Sequence, residues 1–363
     1  MIQDMNISAL FTANLWQDFT GVCGIPTVRW IGRDSEKLVL VTDQLGPTLE
    51  DLHNSHCIHE LPPIHLLAPQ LISRIQMMHK HSLAHGRLKP SSFSLGHYEW
   101  QRSHVLLCDF HFMPFKKAFV DDLRQIGAIL AYLYGSSEDW STFIARPVPE
   151  RFRNAPAEVQ KYMDRINTPS PIDYIALRDI FAVKQEAFHS HSTVCADRSC
   201  LYEKLYSRLR QIGMAVDHPV TAWCESTGTA LLHSQSELLS IYMILLARDK
   251  KTRSCRAHDL KHRFWRDIQW LLKIAEYGPA AFKAEITSQV YKFITVLAEL
   301  VPKNRQFWLE KLLFLAKQQM SITGSSKGWQ KAAMHWNDEL VHLRGMTALF
   351  WDADLVEFSL SQL

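Results

Sequence analysis

Near residue 190 the sequence changes character, and this change does most to limit what the chain can fold into. Before it, short apolar runs bounded by Gly, Asp or Ser alternate with segments of helical periodicity. After it, nearly every segment repeats apolar residues at three- and four-residue steps, with breakers at Gly278-Pro279, Val301-Pro302 and Ile322 to Gly328. The polar, aperiodic stretch from His189 to Cys200 is the natural join. A mixed domain over 1–190 followed by a helical domain over 191–363 is therefore expected. At 363 residues with 47% apolar and 21% charged side chains, the chain can give each part its own core.

In the first part, strands are expected at Val28–Ile31, Leu38–Thr42, Ser92–Leu95 and Val105–Cys108. Helices are expected at Ile7–Thr20, Thr48–Asn54, Ile64–His79, Asp121–Tyr134 and Ala157–Arg165. In Ile64–His79 the residues Leu67, Leu71, Ile72, Ile75 and Met78 define one buried face. In the second part, helices are expected at Leu201–Ile212, Thr229–Ala247, His258–Glu276, Pro279–Leu300, Asn304–Gln319 and Gly328–Leu343, forming a bundle or short stack. The apolar and acidic end, Met346 to Leu363, is either a docking helix or a self-packed tail.

Several function classes are disfavoured at once. No segment has the length and apolarity of a membrane span or a signal peptide, so an intracellular protein without membrane attachment, cytoplasmic or nuclear, is expected. Seven scattered cysteines argue against a disulfide framework. A formal charge of +3 is too small to make the whole molecule a polyanion binder. One region is locally basic: Arg248, Lys250, Lys251, Arg253, Arg256, Lys261 and Arg263 stand against Asp249 and Asp259. These seven cations are the candidate partner-binding residues, for a protein or, as an alternative, for nucleic acid. His189, His191, Cys195 and Cys200 carry zinc-type ligands, but their spacing does not match the usual pairs and no metal site is assigned to them.

Three stretches of the first part are more specific than their periodicity. Gly24-Ile25-Pro26-Thr27-Val28-Arg29-Trp30, then Leu40-Val41-Thr42-Asp43-Gln44-Leu45-Gly46-Pro47-Thr48-Leu49-Glu50-Asp51-Leu52, then Ile72-Ser73-Arg74-Ile75 with Met78-His79 resemble the casein kinase 1 family in order and spacing. The likeness resumes at Asp121-Asp122-Leu123 with Gly127 and again at Pro156 to Phe181, covering about residues 7 to 190. It implies a fold that is α+β and mostly α: a protein-kinase-like C-lobe followed by an all-helical C-terminal domain. It begins near the family's helix αC, so most of the N-lobe that would roof a nucleotide is expected to be lacking.

On that resemblance the catalytic positions can be read one by one. The family pattern His-Arg-Asp-x-Lys-Pro-x-Asn-Phe corresponds here to His85-Gly86-Arg87-Leu88-Lys89-Pro90-Ser91-Ser92-Phe93. Arg87 takes the place of the catalytic base, and a guanidinium cannot accept a hydroxyl proton. Ser92 stands for the metal-binding Asn, and a neutral hydroxyl is a poorer magnesium ligand. Asp109 begins a degenerate magnesium triplet, Asp109-Phe110-His111, and the αC Glu position falls on Thr12. Asp122 follows Asp109 after only thirteen steps, too few for an activation segment and a substrate platform. No Gly-x-Gly-x-x-Gly occurs. His85, Arg87, Lys89, Ser92 and Asp109 are thus degenerate catalytic positions. The expectation is an inactive pseudokinase without cofactor or metal, serving as a protein-interaction scaffold or as a regulatory subunit of a larger complex. An atypical, residually nucleotide-binding kinase is the alternative. The resemblance further implies that Asp122 hydrogen-bonds the backbone near His85.

Overall fold

The computed structural model describes residues 19, 21–34, 37–55, 61–109, 119–169, 171–182, 203, 207, 225–248, 257–301, 304–324 and 327–344. The fold is α+β and mostly α. The expected helix Ile7–Thr20 (apart from Phe19), most of Leu201–Ile212, the 189–200 join and the 346–363 end lie outside the described residues, as do Thr12, Phe110 and His111.

Two small sheets organise the first part. β1 (Val28–Asp34) and β2 (Lys37–Thr42) form an antiparallel pair with Val28 opposite Thr42. β3 (Leu45–Thr48), β4 (Phe93–Gly96) and β5 (Val105–Leu107) form a second antiparallel sheet, Phe93 facing Leu107. The apolar runs foretold four of these strands. β3 is the addition: Leu45-Gly46-Pro47-Thr48 has no alternation to announce it and pairs only because Gly46 lets the backbone of Gly96 approach.

α1 (Leu49–Asn54) starts where Thr48 and Asp51 cap each other's backbone N–H groups. α2 (Ile64–Lys80) buries Leu67, Leu71, Ile72, Ile75 and Met78 completely, as its periodicity demands. α3 (Phe119–Gly135) packs against α2 and, through Gly127, against the helix Ala157–Asn167. A Cβ at Gly127 would stand 2.2 Å from the Met163 sulfur. Three short helices, α4 (Trp140–Ala145), α5 (Val148–Arg151) and α7 (Tyr174–Asp179), were not anticipated, being too brief for a periodic signal; α6 is Ala157–Asn167.

The second part is a stack of α8 (Glu225–Arg248), α9 (Ala257–Ala275), α10 (Ala280–Leu300), α11 (Arg305–Thr323) and α12 (Lys327–Arg344). All five match expected segments within a few residues. α10 is central, packed against by α8, α9 and α11, with α12 on α11.

Buried apolar side chains fall into two clusters. One draws on residues from Phe19 to Phe181, the other on residues from Leu231 to Leu340. Among the described residues one buried side chain of the first part belongs to the second cluster: Trp100, between β4 and β5, packs edge-on against Phe293 of α10, and the partly buried Cys23, Leu66 and Tyr98 pack against the same cluster. No helix among the described residues is long and apolar enough to cross a membrane.

Candidate functional site

The loop from His85 to Phe93 is fixed from beneath. Asp122, fully buried on the first turn of α3, accepts hydrogen bonds from the backbone N–H of His85 and of Gly86, both at 2.7 Å. Its third contact is His79 Nε2 at 3.0 Å. This is the contact to the His85 backbone that the resemblance implied. Gln125, one turn on, accepts from the N–H of Leu88 at 2.6 Å. His85 Nε2 donates to the carbonyl of Asp109 at 2.6 Å while its Nδ1 accepts from the N–H of Arg87, which sets the imidazole as a neutral Nε2–H tautomer. His79 is stacked on Phe119 and hydrogen-bonded to Tyr174, so it serves the packing of α2.

The structure thus brings His85, Ser92 and Asp109 together. The Ser92 hydroxyl donates to Asp109 Oδ2 at 3.3 Å and accepts from the N–H of Lys89. That carboxylate therefore spends one oxygen on a neighbouring hydroxyl. Arg87 and Lys89 are exposed at the rim and make no side-chain ion pair among the described residues. The geometry can hold a rigid loop with two outward cations; it offers no side chain at the Arg87 position able to take a proton from an alcohol.

Of the seven basic candidates, Lys250, Lys251, Arg253 and Arg256 lie outside the described residues, and Arg248 is described only as the last residue of α8. Lys261 and Arg263 sit on α9. Lys261 lies over the Phe307 ring at 5.2 Å and donates to Asn304 Oδ1. Arg263 is partly buried beside Tyr242. Both are partly exposed: helical spacing turns Arg263 toward α8 and lays the Lys261 stem along α11.

A second polar site, between the two parts, escaped the sequence reading. The α10 residues Glu285, Lys292 and Glu299 meet Arg29, Asp43 and Arg74 of the first part in three ion pairs. Lys292 Nζ stands 2.5 Å from Asp43 Oδ2, with Arg29 Nη2 at 2.6 Å from the other oxygen. Burial would raise the Asp43 carboxyl, but these two cations outweigh it and hold the group below the usual range. A cavity of about 180 Å³, lined in part by Cys23, Asp43, Tyr98, His104 and Lys292, runs along this seam. Trp329 of α12 closes one end against Gly21, whose carbonyl accepts from the Tyr291 hydroxyl.

At its inner end Cys23 Sγ, His104 Nε2 and a Glu299 oxygen lie within 4.8 Å of one another, close enough to share a metal ion. Their chemistry argues for another partner. Arg74 grips Glu299 with both nitrogens, at 2.6 and 2.9 Å, and also reaches His104 Nε2 at 3.1 Å. A divalent ion would have to displace this bidentate guanidinium. Burial pushes the Cys23 thiol up, so sulfur is held as the weak neutral donor rather than the thiolate a metal prefers. Burial alone would raise Glu299 too, but Arg74 reverses that and keeps it well below the carboxylate range. The cluster is therefore an ion-pair lock joining α2 to α10. One sequence signal could have exposed it: Arg74 falls on the mostly apolar buried face of α2, which also carries Gln70 and His79, and Glu299 lies among the apolar residues at the end of α10.

No protein-family model matches the chain.

Proposed function

We propose that this chain is a catalytically inactive, casein-kinase-1-like pseudokinase that serves as a protein-interaction scaffold or as a regulatory subunit of a larger complex. The observation that carries the reading is Arg87: an exposed guanidinium stands where proton abstraction would occur, in a loop held by the Asp122 carboxylate. The scaffold of such a lobe is kept while its acid–base chemistry is gone. Ser92 adds to this by donating to one oxygen of Asp109, the carboxylate at the position of the family's magnesium ligand. The thirteen-step interval from Asp109 to Asp122 leaves little chain for holding an acceptor peptide.

The test is thermal unfolding of the full chain with and without ATP and magnesium, together with phosphate transfer to a casein-type peptide. The expected result is no dose-dependent rise in the midpoint and no labelled peptide. Transfer that disappears on Asp109→Asn or Lys89→Ala would overturn the proposal in favour of an atypical kinase.

A further inference from the structure

Charge is distributed unevenly along this chain. Residues 248–323 contain 15 Lys and Arg against 7 Asp and Glu, whereas the remainder contains 25 against 30. Three of those seven acids are committed elsewhere: Glu285 to Arg29, Glu299 to Arg74, and Asp267 to the Tyr242 hydroxyl. Two of the fifteen cations are committed as well, Lys292 to Asp43 and Arg305 to Glu339, and the remaining residues of this stretch still carry cations in excess.

Two of these cations are held in one place. α9 and α11 both pack on α10, and their side chains meet above it. Trp265 of α9 stands edge-on to Phe314 of α11 at 5.6 Å, and His262 stands edge-on to Phe307 at 5.2 Å. Lys311 Nζ sits 5.0 Å from the centres of both the Trp265 and Phe307 rings, and Lys261 Nζ lies over Phe307 as well. Among the described residues no carboxylate lies within ion-pair distance of either ammonium. Aromatic faces have replaced counter-ions, so both charges are positioned in advance yet unneutralised. Beside them Phe314 is 42% exposed, a large apolar side chain at the edge of a basic valley.

We propose that the valley between α9 and α11 is a docking groove for an acidic peptide segment of a partner protein, its carboxylates meeting Lys261 and Lys311 and an apolar side chain covering Phe314. Charge complementarity selects an anionic occupant, and the rings decide which kind. Single-stranded nucleic acid binds by stacking bases on open aromatic faces. Here lysine ammoniums stand over the Phe307 and Trp265 faces. A peptide needs no such faces, only fixed cations and an apolar contact. The proposal rests on the partner-binding half of the function inferred above, and not on Arg87.

The experiment is fluorescence anisotropy of the full chain with a labelled peptide of alternating Glu and Leu, with its Gln-for-Glu counterpart and an oligo-dT strand as competitors. The Lys261→Gln/Lys311→Gln double variant is expected to weaken binding at least about tenfold, and Phe314→Ser about threefold, with affinity falling as salt rises. Lys161→Gln on α6 is expected to leave it unchanged. Circular dichroism of each variant checks that the stack persists; the surface variant Phe314→Ser remains decisive even if the double variant unfolds. Equal affinity of Phe314→Ser and Lys161→Gln, or tighter binding of oligo-dT than of the acidic peptide, would overturn the groove. Either result leaves the Arg87 reading standing, just as phosphate transfer would overturn that reading and leave the groove.

Discussion

Arg74 carries a permanent charge into the apolar face of α2, and the space for it is made by a glycine. Gly24 lies at φ +77°, and a Cβ there would stand 1.6 Å from Arg74 Nε. The guanidinium then reaches the carbonyl of Val105 at 2.9 Å as well as Glu299. Arg74 is 1% exposed and Glu299 23%. Breaking a buried pair by removing one partner costs about 3–5 kcal/mol, and the partial solvation of Glu299 discounts this to about 2–3 kcal/mol. Glu299→Gln is expected to lower stability by that amount in urea titrations. Arg74→Met/Glu299→Met should recover part of the loss, since no charge is then left unpaired. Additive effects in this cycle would mean the two residues do not act as a pair. Arg74 lies one turn from Leu71 and Met78 on the buried face of α2, but a pattern of apolar residues cannot say what a charge among them will meet.

Elements with long periodic segments were legible: α2 and α8 to α12 sit within a few residues of their expected bounds. The losses were short elements held by local polar contacts or by distant backbone. α1, a short helix that the sequence did place at Thr48–Asn54, shows what such contacts do. The Thr48 hydroxyl accepts from the N–H of Asp51 at 3.1 Å while Asp51 Oδ2 accepts from the N–H of Thr48 at 3.0 Å. For a six-residue helix this box supplies the only specific start signal. Thr48→Ala is expected to cost about 1 kcal/mol, read from the shift in chemical-denaturation midpoint. Because the two bonds are reciprocal, Thr48→Ala/Asp51→Ala should cost less than the sum of the single changes. A change within error for Thr48→Ala would show that β3 pairing alone starts the helix.

The whole molecule is joined through a seam in which titratable groups are buried, so its stability should depend on pH in two steps. Burial holds His104 and His335 below the ordinary imidazole value of 6.5. Below that value the unfolded chain takes up protons that the folded chain refuses, so stability falls as pH drops. Around His104 stand Arg74, Glu299 and Cys23; around His335 stand Glu339, Asp338, Lys80 and Arg305. A second decline follows from Glu299 and Asp43, whose lowered values give stability that is complete above the ordinary carboxylate range and lost as pH falls through their folded values. Urea midpoints are expected to hold steady from about pH 8 to about pH 7, fall towards about pH 5.5, and fall again below about pH 4.5. His104→Gln/His335→Gln should remove the first step and keep the second; a midpoint that rises on acidification would contradict the burial of both imidazoles. By itself the sequence determined the helices whose apolar stripes repeat over several turns and the permanent charge at Arg87, because periodicity and side-chain chemistry are local properties. The tertiary structure alone decided that Trp100 crosses into the second core, that α10 supplies the counter-ions of Arg29, Asp43 and Arg74, and that Lys261 and Lys311 converge on Phe307. Those contacts join residues far apart in the chain, and no local preference records which distant surface a folded segment will face.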